Sequence, residues 1–174
     1  CDSLDFADNF EAASLTNWVT ADDAQSTVSL VTGSSALADT VSLQMNGGTS
    51  AGWTNSYSEA TCYSNTSHLS SATYCLDFSN STSVVNMTFL TDISSIYSGA
   101  YAWIRVKVDG TVISDDMGKS SYTNSSSSSL ASWVGTITAP TTLTYDLSAY
   151  AGQSSVNITF EAACKYTGDI VLID

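Results

Sequence analysis

Apolar and polar residues alternate with a period of two in short runs, the pattern of strands with one buried and one wet face. Leu143, Tyr145 and Leu147 alternate with Thr144 and Asp146, and Val156, Ile158 and Phe160 alternate with Asn157, Thr159 and Glu161. Val85, Met87 and Phe89 are expected to face inward against Asn86 and Thr88, and residues 28–31, 41–45 and 133–137 give further runs. In the run 101–108, Ala102, Ile104, Val106 and Val108 form a core face, which leaves Tyr101, Trp103, Arg105 and Lys107 in one outward row. At the end of the chain Ile170 and Leu172 point one way and Val171 and Ile173 the other, as in a strand covered on both faces.

Clusters of Gly, Asn, Asp and Ser separate these runs, and the chain has one proline, Pro140. No helical period is sustained. The pattern predicts an all-β fold, a two-sheet antiparallel β-sandwich, formed by one domain over residues 1–174. The stretch 120–129, SSYTNSSSSS, is of low complexity and is expected to be a flexible surface loop.

Charge narrows the partners. Four Lys and Arg stand against 17 Asp and Glu, a net charge of −13, so the surface repels nucleic-acid phosphates and anionic lipid alike. No apolar run of about 18 residues is present to span a bilayer. With no signal peptide in view, the chain is expected to be the mature form. A polar surface carried largely by Ser and Thr fits an extracellular protein.

Cys1, Cys62, Cys75 and Cys164 form an even set without CxxC spacing beside a single histidine, which points to disulfides and not to zinc. Of the three possible connectivities, Cys62 with Cys75 closes a Ser-rich excursion, and Cys1 with Cys164 joins first and late strands of a sandwich. A lipid-modified Cys1 is the rival reading. Asn-x-Ser/Thr triplets occur at Asn65, Asn80, Asn86, Asn124 and Asn157 and mark candidate glycosylation sites.

His68 could be placed in an imagined Ser/His/Asp triad, but no nucleophile elbow surrounds it. Paired acids such as Asp22-Asp23 and Asp115-Asp116 sit in turn-like sequence, and no enzymatic activity is expected. Trp53 is either a ligand platform or core. For the row Tyr101, Trp103, Arg105 and Lys107 two readings stand. Another part of the chain covers it, with the basic stems lying along the aromatics, or it is a contact surface, where aromatics and Arg are enriched.

A strand ending Asp146-Leu147-Ser148, then Ala149-Tyr150-Ala151-Gly152-Gln153, a Val156-x-Ile158-x-Phe160 strand, a loop and a closing Ile173-Asp174 resembles the C-terminal half of MAM and bacterial cleaved-adhesin jelly rolls. Phe10-Glu11 followed by Trp18 resembles the family's opening, and residues 102–108 with the Asp109-Gly110 turn resemble its middle. The resemblance is concentrated in residues 141–174. It implies a jelly-roll sandwich serving as an extracellular adhesive or structural module. It also implies a structural calcium ion shared by Glu11 and Asp174, with Asp8 or Asn9 as helpers. A carbohydrate-binding module is the alternative. In the family the last strand runs past the Ile-Asp pair. A neighbouring subunit is therefore expected to complete the sheet beside residues 169–174 with its own residues 2–10, giving self-association or a filament.

Overall fold

The computed structural model describes residues 1–3, 10–22, 25–47, 63, 68–95, 101–127 and 129–174. It is a two-sheet sandwich, as the alternation predicts. In chain order the strands are β1 (Asp2–Ser3), β2 (Val19–Asp22), β3 (Thr27–Thr32), β4 (Val41–Asn46), β5 (Leu69–Asp77), β6 (Asn86–Ser94), β7 (Ala102–Val108), β8 (Thr111–Val112), β9 (Ser121–Thr123), β10 (Val134–Thr136), β11 (Thr141–Asp146), β12 (Val156–Cys164) and β13 (Ile170–Ile173). The larger sheet runs β1-β5-β12-β7-β9-β10, with β2 also on β5 and β8 on β7, and the smaller runs β11-β6-β13-β4-β3. Pairing is antiparallel except for β1 with β5 and β10 with β9. The β7–β8 hairpin turns at Asp109 (φ 47°) and Gly110 (φ 80°), the two left-handed residues that a tight two-residue turn needs.

The inward faces meet in a core that an aromatic chain crosses. Trp18 lies 4.9 Å from Tyr74 and 6.0 Å from Phe160 between ring centroids, Phe160 meets Phe89 edge-on at 4.8 Å, and Phe89 stacks on Tyr145 at 5.8 Å. Phe160 belongs to the larger sheet and Phe89 to the smaller, so this contact ties the layers. Burying each ring is worth about 1.5–3 kcal/mol, with about 0.5–1.5 kcal/mol more for each well-placed pair.

Three expectations are corrected. The Ser-rich stretch contains strand β9, whose Ser121, Tyr122 and Thr123 are all buried. Ser121 Oγ donates to the Ile104 carbonyl (3.1 Å) and Thr123 Oγ1 to that of Ala102 (2.8 Å), so the hydroxyls are satisfied by the neighbouring strand and burial costs little.

The second correction concerns the chain end. β13 is an interior strand, paired with β4 on one side and β6 on the other. Asp174 exchanges backbone hydrogen bonds with Leu90 at 2.9 and 2.7 Å. β1 pairs with β5 of its own chain. Residues 169–174 therefore present no open ladder to a foreign strand, and residues 4–9 of the expected donor lie outside the described residues.

The third concerns disulfides. Cys1 is bonded to Cys75, with Cα atoms 4.6 Å apart. The parallel register Asp2↔Leu76 puts the two cysteines opposite each other. Cys164 lies at the other end of β12: Asn157 is the partner of Cys75, and seven residues of extended chain beyond it span about 23 Å. Cys164 is buried, its Sγ 4.0 Å from the Met45 carbonyl, and Cys62 lies outside the described residues.

Candidate functional site

The outer face of the larger sheet carries the most concentrated polar chemistry among the described residues. Register places Glu161 on β12 directly beside Arg105 on β7, and Thr159 beside Lys107. Residues two apart on a strand share a face, so Glu161 lies within reach of both cations. Its Oε1 accepts from Arg105 Nε (2.7 Å) and Nη2, and its Oε2 accepts from Lys107 Nζ. The three side chains keep 17%, 21% and 12% exposure for Arg105, Lys107 and Glu161, so the triad is recessed but reached by water.

Tyr63 closes this group from above. Its ring centroid is 3.6 Å from Arg105 Cζ and its hydroxyl donates to the Glu161 carbonyl at 3.3 Å. The guanidinium is thus fixed between an aromatic face and a carboxylate, an arrangement that Arg supports and Lys does not. On the other side of Glu161 the sheet opens into a cleft of about 210 Å³, lined by Ala21, Asp22, Leu69, Ser70, Ser71 and Glu161. Beside it Thr73 and Thr159 share a hydroxyl hydrogen bond of 2.8 Å.

The outward row expected from the sequence is divided. Trp103 is 0% exposed, in a second small core with Tyr63, Val134 and Ala163, against which Leu69 and Leu130 pack. The expectation of an open contact row is corrected at that residue: Val134 of β10 and Tyr63 cover it, which is the other of the two readings. Tyr101 is half-buried and meets Tyr166 edge-on at 5.4 Å, with Lys165 Nζ 4.9 Å from its ring centre. Only Arg105 and Lys107 remain together, both on Glu161.

Glu11 and Asp174 do converge on one segment, the β3–β4 connection. Glu11 Oε1 accepts from the Thr40 and Val41 amides (2.9 and 2.8 Å) and Oε2 from the Thr40 hydroxyl, while Asp174 Oδ2 accepts from the Ala38 amide (3.3 Å) and Ser42 Oγ (3.0 Å). Hydrogen bonding to Thr40 holds the Glu11 carboxyl below its ordinary pKa. These oxygens face N–H and O–H donors, whereas calcium takes converging carboxylate and carbonyl oxygens. The Glu11 and Asp174 oxygens are thus engaged by donors of the protein itself, and no group of three or more His, Cys, Asp or Glu suited to a metal assembles among the described residues. Asp8 and Asn9 lie outside them.

Of the glycosylation candidates, Asn80, Asn86 and Asn157 are exposed, Asn157 donating its amide to Asp109 Oδ1 at 3.3 Å. Asn124 is half-buried, and Asn65 lies outside the described residues, as does Trp53. His68 is fully buried.

Glu161 and Tyr63 were not expected at a site from the sequence, and Asp22, expected in a turn, ends strand β2. The phase of β12 marks Glu161 as outward, but its two cationic partners follow only from the β12–β7 register, and Tyr63 approaches from a distant part of the chain. No protein-family model, curated protein or solved structure matches this chain.

Proposed function

We propose that this protein is a non-catalytic extracellular recognition module that binds carbohydrate in the cleft on the outer face of its larger sheet. The observation that carries the reading is Glu161, fixed by Arg105 under the Tyr63 ring and by Lys107, on the wall of a cleft that Ser70 and Ser71 also line. Sugars are bound by planar groups that donate and accept hydrogen bonds from fixed positions. A carboxylate already immobilised by two cations loses little further freedom on binding. Glu161 retains acceptor capacity, because a carboxylate has about four lone-pair sites and Arg105 and Lys107 fill three. Ser71, the register partner of Glu161, supplies a hydroxyl on the same face. The Cys1–Cys75 bond supports the extracellular setting.

The test is a glycan array probed with the intact protein and with Ser71→Trp, which fills the cleft from β5. The intact protein retains a defined set of glycans and the variant loses them. An array with no bound glycan ends the reading.

A second reading, adhesion through protein contacts, draws on two exposed apolar side chains, Met117 at 62% and Trp133 at 39%. They lie on adjoining turns joined by the hydrogen bond from the Ser120 amide to the Trp133 carbonyl (3.0 Å). Sedimentation velocity distinguishes it: self-association that Trp133→Ala removes favours this corner. Association should grow with salt, as the net charge of −13 is screened.

A further inference from the structure

We infer that the unit recognised in this cleft is an uncharged sugar ring, not a uronate and not a sugar held through a bridging cation; this rests on the carbohydrate reading above and names its ligand class. The first ground is local charge. The charged residues that line the cleft are Asp22 and Glu161, both acids, and the cations Arg105 and Lys107 stand behind Glu161, engaged by its carboxylate. A carboxylate entering there gains no net attraction from them, and the chain beyond carries the rest of a −13 charge. Screening over about 8 Å at physiological ionic strength leaves the local balance in control, and that balance has no surplus to offer an acid.

The second ground is the state of Glu161. Both its oxygens are engaged by cations of the protein, Oε1 by Arg105 and Oε2 by Lys107. A divalent ion would meet a carboxylate already neutralised by a guanidinium pinned under Tyr63 and by an ammonium. Asp22 alone offers too few oxygens for calcium, which takes six to eight.

The third ground is size and lining. The cleft, at about 210 Å³, is smaller than the roughly 300 Å³ at which pockets for drug-sized ligands begin, so it takes one ring, with the remainder of an oligosaccharide lying over the sheet. The walls fit a polyol. Ser71 both donates and accepts, Glu161 accepts, and the aliphatic atoms of Ala21 and Leu69 meet the C–H face of the ring.

The experiment is titration calorimetry of the intact protein with matched oligosaccharide pairs: glucose and glucuronate, galactose and galacturonate, mannose and mannuronate oligomers of equal length, in chelator and in calcium. The neutral member of at least one pair is expected to bind at least tenfold more tightly than its uronate, equally in both buffers. Asp22→Asn leaves the Arg105–Glu161–Lys107 group in place and removes one of the two acids that line the cleft. It is expected to narrow that preference about threefold or more, the size of one weakly screened charge interaction in water. A uronate that binds as tightly as its neutral partner, a neutral preference that Asp22→Asn leaves unchanged, or binding that requires calcium overturns the inference while leaving the carbohydrate reading intact. If no member of any pair binds and the array is also blank, both fall.

Discussion

Gly135 on β10 lies directly against the ring of Tyr122 on β9: a Cβ at position 135 would come within 2.0 Å of Tyr122 Cε1. The two residues are register partners in the parallel β9–β10 pair. Tyr122 cannot retreat easily, because it is 3% exposed and its hydroxyl donates to the carboxylate of Asp115. Gly135→Ala should therefore destabilise the fold by about 1–3 kcal/mol, the usual cost of overpacking. Urea unfolding of the variant beside the parent measures it, and an unchanged midpoint would mean that β10 can shift away.

Two tryptophans give a contrast of burial. Trp103 is 0% exposed in the second core and Trp133 is 39% exposed beside it. Trp103→Ala should cost about 3–5 kcal/mol, and Trp133→Ala about 0.5 kcal/mol, as surface substitutions usually do. Chemical denaturation of the two variants decides this, and similar losses would remove the claim that Trp103 is covered within the chain.

Alkaline pH should unfold the protein through its buried tyrosines. Burial raises the ionisation of Tyr122 above the ordinary value of 10.0, and its hydrogen bond to Asp115 and that residue's charge raise it further; burial and the Asp115 charge do the same for Tyr145. A folded-state value above the unfolded one means that stability is fully present below pH of about 10 and lost as pH rises beyond it. Of the nine tyrosines, these two should ionise only together with unfolding. Tyrosinate absorbance and circular dichroism followed through the same titration test this: absorbance that is complete while the fold persists would contradict it.

The fold was legible in the sequence wherever burial is signalled by aliphatic and aromatic side chains. The phases of Leu143 and Tyr145, Ile158 and Phe160, and Val171 and Ile173 all point to the core, at 5% exposure or less. β9 was not legible, because a strand of Ser and Thr buries hydroxyls that only its neighbours' carbonyls can satisfy. The site was half legible. The outward phase of β7 shows Arg105 and Lys107 on one face, but it cannot show that Trp103, in the same row, is roofed by β10 and Tyr63 while Lys107 is not. Strand pairing also lay out of reach, and with it the disulfide. A period of two says which face a residue takes and nothing about which strand lies beside it.

The carboxylates at the two ends of the described chain predict how the β3–β4 connection is held. Glu11 and Asp174 fasten residues 38–42 through N–H and O–H donors. Asp39 in the same connection and Phe10 and Ala13 beside Glu11 have φ of 40°, 59° and 49°, a conformation that few residues adopt without such support. Glu11→Ala should lower the melting temperature by the same amount in chelator and in calcium, since the donors are the protein's own. A parent protein whose melting temperature falls on chelation would instead place a cation at this end.

The disulfide prediction reaches furthest into the topology, because the pairing depends on the neighbours chosen by β5. Non-reducing peptide mapping should join the peptide of Cys1 to that of Cys75 and should find neither a Cys62–Cys75 nor a Cys1–Cys164 bridge. The bond spans a separation of 74 residues, for which the chain-entropy account gives about 4 kcal/mol of stabilisation through the unfolded state. In the folded state it also fixes β1, a strand of two residues that could not stay on β5 by its ladder alone. Cys1→Ser with Cys75→Ser should therefore lose about 2–5 kcal/mol and release the first strand, read as faster hydrogen exchange in residues 2–3 and in the β5 residues Leu76 and Asp77 that pair with them. Variants that lose the stability but keep the protection would show that the ladder holds β1 without the bond. A Cys62–Cys75 peptide would show that β1 does not lie beside β5.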